Sequence, residues 1–287
     1  LKVLKAHPAL PRKLEPQAVE DYFALGYIPE PKTIYRDVFK LRPGHTLLVE
    51  RDKPVPLQHE YWDVPFAPVA VATEADLCEE LFARLREAVE IRLVAEVPLG
   101  AFLSGGVDSS AVVAAMAQLQ DAPVNTCAIG FDVPQFNETD FARQVAQRYH
   151  TNHLERVVAS DDFDLLDTLA ALYDEPYADS SAIPTYRVCQ LARERVTVAL
   201  SGDGGDENFA GYRRYRWHMN EERLRSALPL GVRRPVFGAL GRLYPKLDWA
   251  PRVFRAKTTF ESLARNSVEA YLHSVSLTSE EQRKAMF

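Results

Sequence analysis

Two short stretches concentrate the residue types that can do chemistry. Ser104-Gly105-Gly106-Val107-Asp108-Ser109-Ser110 sets paired glycines, three hydroxyls and one carboxylate within seven residues. Glycines let the backbone turn tightly and bring bare N–H groups close to a ligand. A helix starting directly afterwards adds unpaired donors and partial positive charge, so the loop suits an anion. Asp108 among phosphate-binding groups is repulsive to phosphate unless a cation lies between them, so the composition implies Mg²⁺. The loop has no lysine and the chain has no GxxxxGK[ST], which speaks against a kinase-type P-loop. The bland alternative is an Asp/Ser helix cap behind a glycine turn. Ser201-Gly202-Asp203-Gly204-Gly205-Asp206-Glu207 offers three glycines and three carboxylates. It suits a nucleotide with a metal, or else a calcium-type or merely solvated turn; EF-hand ligand spacing is absent.

Such loops need elements to hold them. Residues 1–66 read as short strands and turns: extended Tyr35–Leu41, a Pro43-Gly44 turn, the apolar run Thr46–Val49, and Tyr61-Trp62 before Pro65. Residues 67–73 read as a linker. From Glu74 to Glu96, Leu77, Leu81, Leu85, Ala88 and Leu93 recur at helical spacing. Periods then alternate: strand Val97–Leu103, helix Ser109–Leu119, strand Val124–Phe131, helix Glu138–Tyr149, strand Leu154–Val158, helices Asp161–Tyr173 and Pro184–Arg195, strand Val196–Leu200. This alternation predicts an α/β fold, a parallel sheet with helices on both faces. Ligands of such sheets bind beyond the carboxyl ends of the strands, here after Leu103, Ile129 and Leu200. Both loops then lie at one edge.

SGGVDSS at 104–110 resembles the pyrophosphate-binding loop of the N-type ATP pyrophosphatases. DEPYADSSAIPTYRVCQLARERVTVALSGDGGDENFAGYRRY at 174–215 resembles the asparagine synthetase branch of that group. The front part, GYIPEPKTIYRDVFKLRPGHTLLVE through EYWDVPF, is similar to the end of the glutamine-hydrolysing domain that precedes the synthetase in this family. The resemblance implies an adenine nucleotide alpha hydrolase-like fold at 74–287, a short β-rich remnant of a glutaminase domain at 1–66, and 67–73 between them. It implies that backbone near Leu103, Ile129 and Gly202, with Ser201, holds the adenosine of ATP. Ser104, Gly105, Gly106, Asp108, Ser109 and Ser110 would then hold the phosphates, and Asp108 and Asp206 would ligate Mg²⁺. Asp203 stands where better-known asparagine synthetases carry a glutamate implicated in acyl-adenylate formation. Tyr177-Ala178-Asp179-Ser180 departs from the threonines and arginine that the enteric-type enzymes place near their substrate. The implied reaction activates a carboxylate, aspartate or another, as an acyl-adenylate, and ammonia from glutamine then forms the amide. No cysteine precedes Cys78 to serve as the glutaminase nucleophile, so the chain is expected to be the central piece of a longer enzyme, incomplete at both ends.

Composition narrows the alternatives. With 47% hydrophobic and 26% charged residues, the chain can bury a core and is not disordered. No apolar run approaches the roughly 20 residues of a membrane span, and the proline-broken start lacks a secretion signal, so a cytoplasmic protein without a membrane partner is expected. Residues 212–287 carry 15 Lys/Arg against 7 Asp/Glu. These cations interleave with Leu, Val and Ala, which reads as solvated helix faces, with docking to another part or an anionic partner as the alternative. Nucleic acid is not expected as a partner, though a tRNA-thiolating enzyme stays in view through this tail; a homodimer is allowed. Cys78, Cys127 and Cys189 read as buried thiols, Trp62, Trp217 and Trp249 as packing residues, and His150 and His153 as solvated or structural. Competing functions are a related amidotransferase acting on a polysaccharide or secondary metabolite, and a module that binds ATP without turning it over.

Overall fold

Pro16 fixes the first residue of a helix whose N–H would be unpaired in any case, and Gly26 closes that helix with a left-handed φ of +80°. In the computed structural model, which describes every residue except 54, 67–71, 134–136, 159–162, 246–248, 250 and 252–255, the short α1 (Lys2–Lys5) therefore precedes α2 (Pro16–Leu25). The sequence reading had no helix here. The apolar run expected over Thr46–Val49 does lie in a strand, β1 (His45–Leu48), which pairs antiparallel with β2 (Leu57–Glu60); the stretch expected to be extended, Tyr35–Leu41, makes only isolated bridges at Tyr35 and Phe39. Gly44 admits no side chain, because its carbonyl accepts from Tyr61 and Trp62 N–H and the Trp62 carbonyl presses on its Cα. Most of the anticipated linker, 67–71, and the first residues of the helix expected from Asp161 lie outside the described residues.

The alternating periods fold as expected. α3 (Glu74–Glu90) opens on a Thr73/Asp76 capping box and ends six residues before the predicted Glu96. Then come β3 (Leu99–Phe102), α4 (Val107–Leu119), β4 (Asn125–Phe131), α5 (Thr139–Arg148), β5 (Asn152–Val158), α6 (Leu166–Leu172), α7 (Ala182–Ala192) and β6 (Val198–Leu200). The four strands β3 to β6 run parallel in the order β5-β4-β3-β6. Their side chains alternate between two cores. On one face Ala101, Leu103, Val124 and Ala128 meet Val89, Val112, Val113, Met116, Ala142 and Ala146 from α3, α4 and α5. On the other, Cys127 with Phe102, Ile129 and Leu154 meets Leu191, Ala192 and Val196 at and after α7. Burying each large aliphatic side chain contributes about 1.5–3 kcal/mol, so these two layers dominate the stability of the sheet.

The remainder is helical: α8 (Gly205–Asn208), α9 (Arg213–Ala227), α10 (Leu230–Leu243), α11 (Lys257–Leu263), α12 (Ser267–Val275) and α13 (Glu280–Met286). Contacts divide the chain into two units: Leu1–Lys40 with Glu175–Tyr177 and Asp206–Phe287, and Leu41–Asp174 with Ala178–Gly205. In the first unit α13 packs beside α2, where Leu277 N–H donates to Ala24 O at 2.7 Å and Phe287 meets Phe23 edge to face. Also in this unit, two cations of the basic tail are buried, not solvated. Arg225 donates to Glu221 and to Ser262 Oγ, both at 2.7 Å, and Arg233 donates to the carbonyls of Leu228, Leu263 and Arg265. Each guanidinium is buried because its acceptors converge on it, which offsets the desolvation of the charge.

Two further expectations are corrected. Cys78 and Cys189 are exposed and only Cys127 is buried, since the first two fall on outward helix faces while Cys127 points from β4 into the core. Trp62, Trp217 and Trp249 are more than half exposed, because no core element faces them. His153 is structural as expected: its Nδ1 lies 2.9 Å from Thr126 Oγ1, and burial pushes its pKa below the usual 6.5. Among the described residues no helix is long and apolar enough to cross a membrane.

Candidate functional site

The glycine loop after β3 leads into α4 as a site for an anion. Gly106 is the N-cap residue, with φ −67° and ψ 162°, and no side chain caps the helix. The Asp/Ser cap alternative is therefore not what forms. The N–H groups of the first turn are left to face a ligand, with the positive end of the helix dipole behind them. Gly105 has φ +86°, and a Cβ there would stand 2.6 Å from Ala142 N and from Phe141 Cβ, so only glycine lets the loop lie against the start of α5. Ser104 and Ser109 hydroxyls meet at 2.9 Å, and Ser104 Oγ also accepts from Gly106 N–H. Ser110 Oγ is buried without a partner among the described residues, a spare donor within the same turn.

The second loop seats directly on that helix start. A Cβ on Gly202 would lie 2.5 Å from Ser109 N and 2.8 Å from Asp108 C, so Gly202 has its Cα against the first turn of α4. A Cβ on Gly205 would stand 2.5 Å from Asp108 Oδ2 and 2.7 Å from Oδ1, and Gly204 turns the chain between them with φ +93°. The adjacency of β3 and β6, with Ala101 opposite Leu200, produces this meeting. Ser201 Oγ donates to Asp203 Oδ2 at 3.0 Å, which holds the exposed Asp203 carboxylate in one orientation.

Leu103 and Ile129 are brought to the same strand ends, Leu103 N–H donating to Cys127 O at 2.9 Å. Their side chains enter opposite cores, and Leu103 is buried as a whole. Thus Leu103, Ser104, Gly105, Gly106, Asp108, Ser109, Ser110, Ile129, Ser201, Gly202 and Asp203 share one edge of the sheet unit. Asp206 belongs to the other unit, where its carbonyl accepts from Gly211 N–H at 3.0 Å. Among the described residues no three His, Cys, Asp or Glu side chains cluster as a metal site.

The sequence reading missed one polar pair. Tyr212 Oη donates to Glu207 Oε1 at 2.5 Å; this pushes the phenol up to about 12 and holds the carboxylate below its usual range. A Glu and a Tyr five residues apart carry no local periodicity that would have flagged them.

A family model described as asparagine synthase matches residues 80–286, which is most of the chain. The chain belongs to the asparagine synthase family. A second model, described as a glutamine amidotransferase domain, matches residues 1–62. The putative asparagine synthetase [glutamine-hydrolyzing] 2 of Methanocaldococcus jannaschii is 38% identical over 261 residues, covering 90% of this chain and 50% of the relative. Asparagine synthetase [glutamine-hydrolyzing] 1 of Bacillus subtilis is 33% identical over 206 residues, covering 71% of this chain and 32% of its own. Amidase chry2 of Gibberella zeae is 27% identical over 268 residues, covering 81% and 39%. The chain therefore spans half or less of the length of these relatives.

Proposed function

We propose that this chain is the ATP-dependent synthetase portion of a glutamine-dependent amide-forming enzyme. The observation that carries the reading is Gly202 against Ser109 N, which sets a carboxylate-bearing loop on an uncapped helix start. A carboxylate oxygen of the acceptor attacks the α-phosphorus of ATP, the bond to the bridging oxygen breaks, and pyrophosphate leaves with the electron pair. Ammonia then adds to the acyl carbon of the adenylate and AMP departs, one nitrogen proton being lost. Negative charge grows on the leaving pyrophosphate. The free N–H groups of α4 and the hydroxyls of Ser104, Ser109 and Ser110 are donors suited to receive it.

The residues present fit Mg²⁺. Asp108 lies in a cradle over Gly205 that any side chain would fill, and the donor set of one or two carboxylates beside phosphate oxygens is the one Mg²⁺ prefers. Asp108 would hold the ion, and bound there it would neutralise the phosphates; a ligand role for Asp206 rests on the family resemblance alone. Backbone at Leu103, Ile129 and Gly202, with Ser201, would take the adenosine. Asp203 is assigned to the adenylation step as the catalytic carboxylate, steadied by Ser201.

Residues 1–66 are assigned to the amidotransferase part, 67–73 to the connection and 74–287 to the synthetase. The substrates are small molecules, with aspartate the leading acceptor; the similarity to an amidase and the Tyr177–Ser180 stretch keep a secondary-metabolite carboxylate as the second reading. ATP–pyrophosphate exchange across a panel of carboxylates tests this. Exchange that requires one carboxylate, aspartate first, is expected. Nucleotide binding without exchange for any acceptor would reduce the chain to a binding module.

A further inference from the structure

Asp206 sits in a turn closed twice. In the inner closure Gly211 N–H donates to Asp206 O at 3.0 Å, and the Asp206 carboxylate lies over the Gly211 Cα, where a Cβ would stand 2.9 Å from Asp206 Cγ and collide with Oδ1. In the outer closure Tyr212 Oη donates to Glu207 Oε1 at 2.5 Å. The two are adjacent rungs, 206 with 211 and 207 with 212, each joining residues five apart. Between them Ala210 is held at φ +55°, a conformation a residue with a Cβ adopts only when its surroundings impose it. The Arg214 guanidinium carbon lies 4.1 Å from the Tyr212 ring centroid and braces the phenol from its face.

Glu207 and Tyr212 have no role in the chemistry assigned above, yet they spend a charge-assisted hydrogen bond on the turn that presents Asp206. We infer that Tyr212 and Glu207 are positioning residues that hold the Asp206 carboxylate in one orientation through this double-rung turn, as a Mg²⁺ ligand requires. This rests on the reading of Asp206 as a Mg²⁺ ligand. Without the outer rung, Ala210 can relax from its left-handed conformation, Gly211 moves away, and the carboxylate loses the surface it lies on.

Mn²⁺ serves as the probe, its free concentration read by electron paramagnetic resonance during titration of the whole protein with ATP present. Tyr212→Phe and Glu207→Ala should each weaken Mn²⁺ binding about tenfold, the worth of one hydrogen bond to a charged group. The double variant should be no weaker than either single one, because both remove the same rung. Glu207→Gln keeps an acceptor oxygen for Tyr212 and should stay within about threefold of the parent. Metal-free ATP affinity should not change in Tyr212→Phe, which separates positioning from general damage. If Tyr212→Phe leaves Mn²⁺ affinity unaltered while Asp206→Asn weakens it, the latch is wrong and the ligand reading stands. If Asp206→Asn also has no effect, the ligand reading and the inference fall together. A loss of metal-free ATP binding that matches the Mn²⁺ loss would make the rung merely structural and overturn the inference.

Discussion

Replacing Gly202 by alanine tests the meeting of the two loops most directly. The added methyl would lie 2.5 Å from Ser109 N, 2.8 Å from Asp108 C and 3.0 Å from Asp108 Cβ. An unstrained contact is about 3.4 Å, so the loop must retreat by several tenths of an ångström, up to roughly 0.9 Å. The atoms in the way are backbone at the start of a packed helix, with Ser109 buried, so the loop yields and the helix does not. Gly202 has no left-handed φ, so the cost is steric alone. Overpacking of this size destabilises by about 1–3 kcal/mol, lowering the melting temperature by roughly 2–4 °C for each kcal/mol. Because misplacement by about 1 Å can cost a hundredfold in reactivity, Mg·ATP affinity should fall about tenfold and exchange further. Gly238→Ala is the control, since nothing lies within 4 Å of its added methyl in α10, and neither stability nor nucleotide binding should fall. Calorimetric melting and ATP titration of both variants decide the matter. If Gly202→Ala matches Gly238→Ala in both, the loop does not rest on α4 and the site has been wrongly assembled.

Asp203→Asn keeps an oxygen for the Ser201 hydroxyl but removes the charge, so pyrophosphate exchange should fall about a hundredfold while the Kd for Mg·ATP moves less than about threefold. Equal losses in both would make Asp203 a binding residue. Burial is the main cause that holds the His153 pKa below 6.5; Arg143 and Arg195 act in the same direction and Glu155 opposes them. A base with a depressed folded pKa binds fewer protons folded than unfolded, so stability is intact above pH 6.5 and is lost as pH falls from 6.5 through the folded value. Urea titrations at stepped pH should show that loss, diminished in His153→Asn; an unchanged slope in the variant would assign it to other groups. Arg225→Met strands the buried Glu221 carboxylate and should cost about 3–5 kcal/mol in urea unfolding. Glu221→Leu/Arg225→Met should recover part of this, and no recovery would mean that packing, not charge, sets the cost.

The sheet was legible because its information is local. Strands β3 to β6 read as short apolar runs between helical periods, and both functional loops follow strand ends rich in glycine. Helix α2 carries local signals, Pro16 at its start and Gly26 just past its end, yet residues 1–66 read as short strands and turns and the helix was missed. What stayed hidden depends on partners distant in sequence. Arg225 and Arg233 look like solvated cations beside their own neighbours and become buried links only when Ser262, Leu263 and Arg265 arrive from α11 and just beyond it. Cys78, Cys189 and the three tryptophans fail for the same reason, since residue type gives an average burial and the fold decides the particular one. Gly205 and Gly211 could be seen as glycines but not as seats for carboxylates, because nothing in sequence spacing reports a close approach.

The strand order also fixes a timetable. β3 meets β4 after a connection of moderate length, but its other neighbour, β6, pairs Val198 with Leu99, roughly a hundred residues later, at a loop-closure cost about 1 kcal/mol larger. During synthesis, β3, β4 and β5 can associate while one side of β3 stays an open edge and the helix start of α4 has no lid. Only when β6 leaves the ribosome does Gly202 reach Ser109, so the edge is sealed and the nucleotide seat completed in a single late event. A ligand that spans both loops would then act on the chain as it folds, by holding shut the pairing that topology makes slowest.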